Sequence, residues 1–217
     1  YGDYRDIHTF PPRRSSDLDV NYVEVGDHVL LYFVTYCGQC RMCTMNKVSL
    51  CEGFSAKVGY LLDDTCRLHN SLKQPVPQMA RIGTMSEYAV VPEQSLIKID
   101  TAYSLEKAVL VGCGVTTGIG AVLNTAKVKP GSSVAIVGSG GVGLNVIQGA
   151  VLASAERIIA VDLVQQKLDL AKDFGATDLI NASKANPVDQ IQDLTDGKGV
   201  DYAFEVEIGR ASCRERV

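Results

Sequence analysis

Residues 132–162, SSVAIVGSGGVGLNVIQGAVLASAERIIAVD, determine how the rest of the chain is interpreted. A short apolar run at residues 134–137 leads into the glycine-rich segment GSGGVG at residues 138–143. An apolar stretch of helical length follows, and a second apolar run at residues 158–161 ends at Asp162. This pattern predicts a strand, a tight turn, a helix and a second strand, as in a parallel β-α-β unit.

The spacing of the glycines and the acid indicates a dinucleotide-binding site. Gly138 permits a sharp turn out of the strand, Gly140 leaves room for a pyrophosphate, and Gly143 lets the helix lie close to the sheet. The N–H groups that open the helix then face the phosphates. Asp162 comes 19 residues after Gly143 and can bind an adenosine ribose, and its charge would repel a 2′-phosphate, which favours NAD over NADP. The alternative is a glycine-rich turn in an α/β protein that binds no nucleotide.

Composition and charge are those of a globular protein. The chain has 217 residues, of which 46% are apolar, and its net charge is −4. One large or two small domains fit this length. We find no basic patch for nucleic acid, no apolar run long enough for a membrane span, and no secretory signal pattern in the first residues. We therefore expect a cytoplasmic protein that binds neither nucleic acid nor a membrane.

Four of the seven cysteines form a compact group with the spacing C-x2-C-x2-C-x7-C. They are Cys37, Cys40, Cys43 and Cys51. Four thiolates can close a tetrahedron around one zinc ion without an open position, so the spacing predicts a structural rather than a catalytic site. The alternatives are disulfides, which a reducing compartment disfavours, and an iron–sulfur cluster, whose bacterial pattern has a different last spacing. Cys66 and His69 lack nearby partners and are interpreted as bystanders.

The two ends of the chain are related to each other through their DNA. Residues 207–217 can be encoded by a sequence whose reverse complement reads HSFPTRRSSDL. Residues 8–18 read HTFPPRRSSDL, which differs at two positions. This relation resembles a sequencing adapter left on both ends of an assembled read, with coincidence as the alternative. We expect residues 1–18 and 207–217 to be non-native tails, and we exclude them from fold prediction.

Strands and helices alternate in the remaining pattern. Before the glycine-rich unit, strands are predicted at residues 29–34, 84–91 and 96–99, and a helix begins at Ser104. After it come a helix at residues 164–174 closed by Gly175, a strand at 178–181, a helix at 187–195 and a strand at 200–206. Small residues around 111–121 indicate that another element packs closely there. The alternation predicts an α/β fold with a doubly wound parallel sheet, of which we expect only the first half in this chain.

Together these motifs resemble the zinc-dependent alcohol dehydrogenases of the medium-chain dehydrogenase/reductase superfamily. The motifs are residues 25–29, the four-cysteine group, residues 83–84 and 87–92, residues 112–118 and residues 138–143. The long loop at residues 52–81 resembles the liver-type and glutathione-dependent formaldehyde dehydrogenase subgroup. The resemblance implies a partial GroES-like catalytic domain at residues 19–110, with its zinc lobe at 37–51, and the first half of an NAD-binding Rossmann domain at 111–206.

The resemblance also implies site residues. Cys113 would be a ligand of a catalytic zinc, although on its own it would be interpreted as a small buried hydrophobe. Thr117 and Val142 would flank the nicotinamide, and Lys167 would help to hold the adenosine ribose. The remaining cofactor contacts would be Gly138, Gly140, Gly141, Gly143 and Asp162. The other ligands of the catalytic zinc are expected outside this chain.

The implied activity is hydride transfer between NAD and an alcohol, an aldehyde or an S-hydroxymethyl thiol adduct. Cys113 favours simple alcohols or aldehydes over polyols, and the implied assembly is a homodimer or homotetramer. One alternative is an NAD-binding relative without catalysis. The other is an inactive truncated chain, because half a sheet leaves a broad unpaired edge. We expect the 217-residue chain to be inactive on its own.

Overall fold

A computed structural model describes residues 20–54, 59–60, 65–66 and 68–207. The chain forms two compact units and passes from the first to the second between Gly112 and Cys113. The predicted domain boundary, between residues 110 and 111, lies two residues earlier. The functional assignment of the two domains stays a prediction. The predicted tails lie outside the described residues, except for Glu207.

The first unit contains a small antiparallel sheet and several single-turn helices. Strand β1 (His28–Leu31) pairs with β2 (Leu96–Ile99), and His28 lies opposite Ile99. The helices are α1 (Arg41–Thr44), α2 (Leu105–Ala108) and the 3-10 turns Val48–Leu50, Glu52–Phe54, Met79–Arg81, Glu93–Ser95 and Val109–Gly112. Ser104 is the N-cap of α2, so this helix begins where the sequence predicts.

The predicted strand at residues 84–91 is wrong. In the structure this segment has no regular secondary structure before the 3-10 turn Glu93–Ser95. Met85 is fully exposed and Val90 is 68% exposed, so these apolar side chains bury little surface. Alternation of apolar and polar residues specifies a strand only where a second strand and a core face are available to it.

The second unit is a parallel sheet with helices on both faces. Its strands are β3 (Ser133–Val137), β4 (Arg157–Asp162), β5 (Asp178–Asn181) and β6 (Tyr202–Glu205), in the spatial order β5-β4-β3-β6. The helices are α3 (Gly114–Gly120), which a π-helical turn at Ala121–Ala126 continues, α4 (Gly141–Leu152), α5 (Gln165–Asp173) and α6 (Pro187–Leu194). The predicted α/β class with a parallel sheet is confirmed.

The core lies on both faces of this sheet. Val134 and Ile136 of β3 pack on one face with residues of α4 and α5. Ala135 and Ile159 lie in the core of the opposite face, against Ile191 of α6. Full burial of a valine or isoleucine side chain contributes about 1.5–3 kcal/mol. Burial on both faces explains why β3 and β4 are continuous apolar runs rather than alternating ones.

The ends of α5 and α6 follow local sequence signals. Gly175 has a φ of 107°, and its N–H donates to the carbonyl oxygen of Lys172 at 3.0 Å. The N–H of Ala176 donates to Ala171 at 3.0 Å, which completes the hydrogen-bond pattern of a Schellman motif. Asn186 caps α6 by accepting a hydrogen bond from the N–H of Val188 at 3.1 Å. These signals fix where β5 and α6 begin.

The helices of the described residues are short. The apolar helix α4 has 12 residues, and no single helix in this part of the chain is long and apolar enough to cross a membrane. Two consecutive helical segments, Leu105–Gly112 and Gly114–Ala126, meet the length and composition requirement only when taken together. The expected absence of membrane binding stays a prediction.

Candidate dinucleotide and metal sites

The glycine-rich turn leaves β3 and enters α4. Gly138 has a φ of 98°, in the left-handed region that favours glycine. Its N–H donates to the carbonyl oxygen of Val161 at 2.8 Å, so the turn stays attached to β4. Gly140 is the N-cap of α4, with extended backbone angles. The turn therefore has the tight geometry that the sequence predicts for Gly138.

Space is open beside the first turn of α4. Beyond the adjacent residues and the backbone of the same helix, a Cβ atom built at Gly140 or at Gly141 would have no heavy atom within 4 Å. The first N–H groups of a helix have no partners within the helix, and they lie at the positive end of its dipole. An anionic group can therefore approach the main chain here, as the sequence predicts for a pyrophosphate.

Gly143 is enclosed. A Cβ atom built on it would collide with the carbonyl oxygen of Gly138 and would lie 3.6 Å from a side-chain methyl carbon of Val206. The first turn of α4 therefore lies directly against the glycine-rich turn. Any larger residue at this position must push the first turn of α4 away from the glycine-rich turn.

Small residues also bring α3 against α4. A Cβ atom at Gly118 would lie 2.6 Å from Cβ of Asn145 and 2.7 Å from the carbonyl oxygen of Val142. The close packing predicted for this segment is therefore present. Thr117 and Val142 are the two residues expected to flank the nicotinamide. Thr117 directly precedes Gly118 on α3 and is exposed, and the carbonyl oxygen of Val142 lies beside Gly118.

Asp162, the last residue of β4, is only 6% exposed. One carboxylate oxygen, Oδ2, accepts a hydrogen bond from the N–H of Ser139, and Oδ1 accepts one from Val164, both at 2.9 Å. Nζ of Lys167 lies 3.6 Å from Oδ2. Burial raises the pKa of Asp162, but these backbone hydrogen bonds and the charge of Lys167 outweigh it and hold the pKa below its ordinary value of 3.8. The carboxylate is therefore ionised at neutral pH.

Cys113 lies at the start of α3. It is the N-cap of that helix, and its thiol is exposed, so it is not the small buried hydrophobe of the alternative interpretation. Its carbonyl oxygen accepts a hydrogen bond from the N–H of Thr117 at 2.9 Å. Within the described part of the chain, Cys113 does not join two further metal-binding side chains. Its role as a zinc ligand stays a prediction, as do the roles of Thr117 and Lys167.

The four predicted structural ligands lie together in the first unit. The Sγ atoms are 3.5 Å apart for Cys40 and Cys43, 3.9 Å for Cys40 and Cys51, and 4.0 Å for Cys37 and Cys43. All four lie within 4.8 Å of one another, and all four thiols are free. Zinc–sulfur bonds of about 2.3 Å require tetrahedron edges of about 3.8 Å. The donor set therefore fits one tetrahedral zinc ion.

Backbone turns and N–H groups shape this lobe. Gly38 has a φ of 75° and turns the chain between the first two ligands, and Cys40 is the N-cap of α1. The N–H of Cys37 donates to Sγ of Cys51 at 3.3 Å, and the N–H of Cys40 donates to Sγ of Cys37 at 3.4 Å. Such bonds stabilise thiolates, which are the form of cysteine that binds metal.

The thiols of the lobe differ in acidity. Backbone hydrogen bonds from Cys43 and Glu52 lower the pKa of Cys40 to about 6. Backbone hydrogen bonds from Gln39 and Cys40 lower the pKa of Cys37. Burial, together with the hydrogen bond to Cys40, raises the pKa of Cys43 to about 12. Cys40 therefore carries thiolate charge at neutral pH, which suits a cation at the centre of the cluster.

Cys66 and His69 belong to a separate loop. Sγ of Cys66 donates to the carbonyl oxygens of Leu68 and Val76 at 3.3 and 3.2 Å. His69 forms an isolated β-bridge with Pro75. Among the described residues neither side chain belongs to a group of three or more metal ligands, and the interpretation of both as bystanders stays a prediction.

Two contacts of the glycine-rich turn were not predicted from the sequence. One is the hydrogen bond from Ser139 to Asp162 described above. The other involves Glu207, because a Cβ atom at Gly138 would lie 3.0 Å from its Oε1. Both contacts join residues far apart in the chain. The acid at the end of β4 was the only sequence signal for either of them.

The parallel sheet, the glycine-rich turn with its buried acid and the four-thiol lobe define an α/β dinucleotide-binding protein with a metal-binding lobe. Two family models match the chain: the alcohol dehydrogenase GroES-like domain over residues 14–101 and zinc-binding dehydrogenase over residues 141–213. The chain belongs to the zinc-dependent alcohol dehydrogenase family, which confirms the resemblance. The matched ranges overlap the predicted tails, so the tails stay a prediction.

Curated relatives are similar over most of the chain. An S-(hydroxymethyl)glutathione dehydrogenase of Synechocystis sp. is 45% identical over 206 residues, which cover 91% of this chain and 56% of that protein. A class-3 alcohol dehydrogenase of Pisum sativum is 45% identical over 190 residues, covering 86% of this chain and 50% of that protein. The chain thus spans about half the length of the curated relatives it matches.

Solved structures of the family have a similar fold. An alcohol dehydrogenase zinc-binding domain protein from Burkholderia ambifaria matches with a TM-score of 0.78 and 36% identity, covering 90% of this chain and 53% of that chain. A benzyl alcohol dehydrogenase from Acinetobacter calcoaceticus matches with a TM-score of 0.75 and 33% identity, with the same coverage of 90% and 53%.

Proposed function

We propose that the full-length protein is an NAD-dependent zinc alcohol dehydrogenase. It would transfer a hydride between NAD and an alcohol, an aldehyde or an S-hydroxymethyl thiol adduct. The observation that carries the proposal is the open, glycine-lined start of α4 beside the buried, ionised carboxylate of Asp162. The relatives named above support the substrate class, because their names specify alcohols and S-(hydroxymethyl)glutathione.

The second unit would bind the dinucleotide. Gly138 shapes the turn, and the N–H groups after Gly140 and Gly141 would hold the pyrophosphate. Asp162 and Lys167 would hold the adenosine ribose, and the charge of Asp162 would exclude a 2′-phosphate. On this proposal the protein binds NAD in preference to NADP.

The four-cysteine lobe would hold a structural zinc ion. Its Sγ separations fit tetrahedral coordination, and four protein ligands leave no position for a substrate. Cys113 would supply one thiolate to a second zinc, whose chemistry when bound is to polarise the substrate oxygen. Among the described residues Cys113 does not join two further metal-binding side chains, so its proposed role is limited to supplying that thiolate.

Assembly and location belong to the same proposal. We infer a homodimer or homotetramer in the cytoplasm, where thiols remain reduced. The free state of the six described cysteines supports a reducing compartment. Size-exclusion chromatography with light scattering on the full-length protein measures the assembly, and a monomer would contradict this inference.

The decisive experiment uses the full-length protein encoded by the uninterrupted gene. We expect zinc-dependent reduction of NAD with S-(hydroxymethyl)glutathione or a simple alcohol, with NADP a poor substitute. Cys113→Ala should abolish turnover and preserve NADH binding, whereas Cys66→Ala is the matched control and should keep both. NADH binding without turnover by the unsubstituted protein would instead establish a non-catalytic relative. Absence of NADH binding would overturn the whole proposal.

A further inference from the structure

The side chain of Asp162 reaches back to the glycine-rich turn. Its Oδ2 accepts the N–H of Ser139, the residue between Gly138 and Gly140, at 2.9 Å. Asp162 is 6% exposed and Ser139 is 1% exposed, so this hydrogen bond is shielded from water. It joins residues 23 positions apart and spans two different strand ends.

The hydroxyl of Ser139 does not help to hold the turn, although serine hydroxyls commonly form hydrogen bonds. Its hydroxyl oxygen is buried and has no hydrogen-bond partner among the described residues. Among the described residues, the hydrogen bond that Ser139 forms is the one from its backbone N–H to Asp162. A buried N–H without an acceptor is strongly unfavourable, so loss of the carboxylate would drive the turn to rearrange or admit water.

The carboxylate itself is held in one orientation. Its other oxygen, Oδ1, accepts the N–H of Val164 at 2.9 Å, and Nζ of Lys167 lies 3.6 Å from Oδ2. The turn is tied to β4 a second time by the hydrogen bond from Gly138 to the carbonyl oxygen of Val161. Adjacent residues of β4 thus hold the turn, one through its main chain and one through its side chain.

We infer that Asp162 is a positioning residue that holds the glycine-rich turn in its nucleotide-binding shape before any cofactor arrives. This role is additional to the ribose contact, and its consequence for cofactors rests on the proposed function. The side chain of Asp162 then determines both the preference for NAD over NADP and the geometry of the turn. Replacing Asp162 with a residue that lacks an acceptor lowers the affinity for NADH and NADPH together, rather than converting one preference into the other.

Three variants separate positioning from charge. Asp162→Ala removes both acceptor oxygens. Asp162→Asn removes the charge but keeps one oxygen that can accept the N–H of Ser139. Lys167→Met removes the neighbouring cation and leaves the hydrogen bond intact, so it is the matched control for electrostatics.

The primary measurement is amide hydrogen exchange at Ser139 in the nucleotide-free chain, with Ile136 of β3 as a reference for global unfolding. In Asp162→Ala, exchange at Ser139 should accelerate at least about tenfold while Ile136 is unchanged. Asp162→Asn should retain part of the protection, and Lys167→Met most of it. If exchange at Ile136 also accelerates in Asp162→Ala, that variant has lost global stability. The test is then whether Ser139 exchanges faster in Asp162→Asn than in Lys167→Met.

Binding of NADH and NADPH, followed by nucleotide fluorescence, is the second measurement. We expect Asp162→Ala to lower the affinity for both NADH and NADPH. Asp162→Asn should still bind NADH, with a smaller ratio of NADH affinity to NADPH affinity. Unchanged protection of Ser139 in Asp162→Ala, or a gain of NADPH affinity with NADH affinity retained, overturns the positioning role. If the unsubstituted full-length protein binds neither nucleotide, the proposed function fails, while the exchange experiment still decides the role of Asp162.

Discussion

The glycines at residues 138–143 differ in the space around them. Gly138 needs its backbone conformation, whereas Gly141 has an ordinary backbone and an open surrounding. Gly143 has an ordinary backbone too, but its Cα lies against the carbonyl oxygen of Gly138. A glycine fingerprint therefore combines separate steric requirements, and each can be tested with a single methyl group.

We expect Gly143→Ala to destabilise the second unit, with Gly141→Ala as its matched control. The added methyl of Gly143→Ala must push α4 away from the turn, and overpacking of this kind costs about 1–3 kcal/mol. Alanine is favoured over glycine in helices by up to about 1 kcal/mol, so Gly141→Ala should keep or raise the stability. Urea unfolding followed by circular dichroism measures both. Equal stability of the two variants would contradict the steric reading of Gly143.

Glu207 places a carboxylate beside the turn that is expected to bind phosphates. It is also the first residue of the predicted C-terminal tail. We expect Glu207→Gln to strengthen NADH binding by about twofold to fivefold at low salt, the range for exposed charges, and less at high salt. Glu205→Gln, at the end of β6 two residues earlier, is the control and should change binding less. Fluorescence titration at two salt concentrations decides, and weaker binding by Glu207→Gln would refute the expected repulsion.

At the level of elements, sequence patterns worked best where a segment carries its own signals. Strand β5 and the ends of α5 were predicted because Gly175 and a short apolar run mark them locally. The strand predicted at residues 84–91 was wrong because alternation of apolar and polar residues does not by itself supply a partner strand. The hydrogen bond from Ser139 to Asp162 was missed for a related reason, since it depends on how β4 and the turn pack in three dimensions.

The four-cysteine lobe gives an element-scale prediction about metal. We expect the chain to bind about one zinc ion, since the four thiols complete one tetrahedral site. Cys51→Ser should lose that ion, because Cys51 is the buried ligand and its Sγ also accepts the N–H of Cys37. Cys66→Ser is the control and should keep it, since Cys66 donates to carbonyl oxygens in its own loop and belongs to no group of metal ligands among the described residues. Elemental analysis after dialysis measures the stoichiometry, and retained zinc in Cys51→Ser would argue against the site.

The sheet should also lose stability in acid. Asp201 accepts hydrogen bonds from the N–H and the hydroxyl of Ser133, both at 2.8 Å, and these bonds lower its pKa below 3.8. Asp162 has a lowered pKa as well. A carboxyl with a lowered pKa stabilises the fold above its unfolded-state pKa, and this contribution is lost as the pH falls through the folded-state pKa.

We therefore expect the free energy of unfolding of the second unit to fall between about pH 5 and pH 2, more steeply in the unsubstituted chain than in Asp201→Asn. Asparagine keeps an acceptor for Ser133 but does not titrate, so it removes the proton uptake at this position. Urea unfolding across this pH range gives the slope for each protein. Identical slopes would exclude a contribution from Asp201.

At the scale of the whole molecule, binding and catalysis make different demands on the chain. The glycine-rich turn and the acid that supports it lie within one unit, and the four thiols lie together in the other. Each of these two sites is formed within its own unit. The reaction proposed for the full-length protein also needs a metal with an open coordination position.

The described residues contain one group of metal ligands, and that group is the four-cysteine lobe, which zinc would fill completely. We therefore expect the 217-residue chain to bind zinc and NADH but to produce no NADH from NAD with ethanol or S-(hydroxymethyl)glutathione. Absorbance of NADH during prolonged incubation is the measurement, and the Synechocystis relative assayed in parallel is the positive control. Turnover that rises with zinc content and disappears in Cys113→Ala would show that this chain assembles a catalytic metal site.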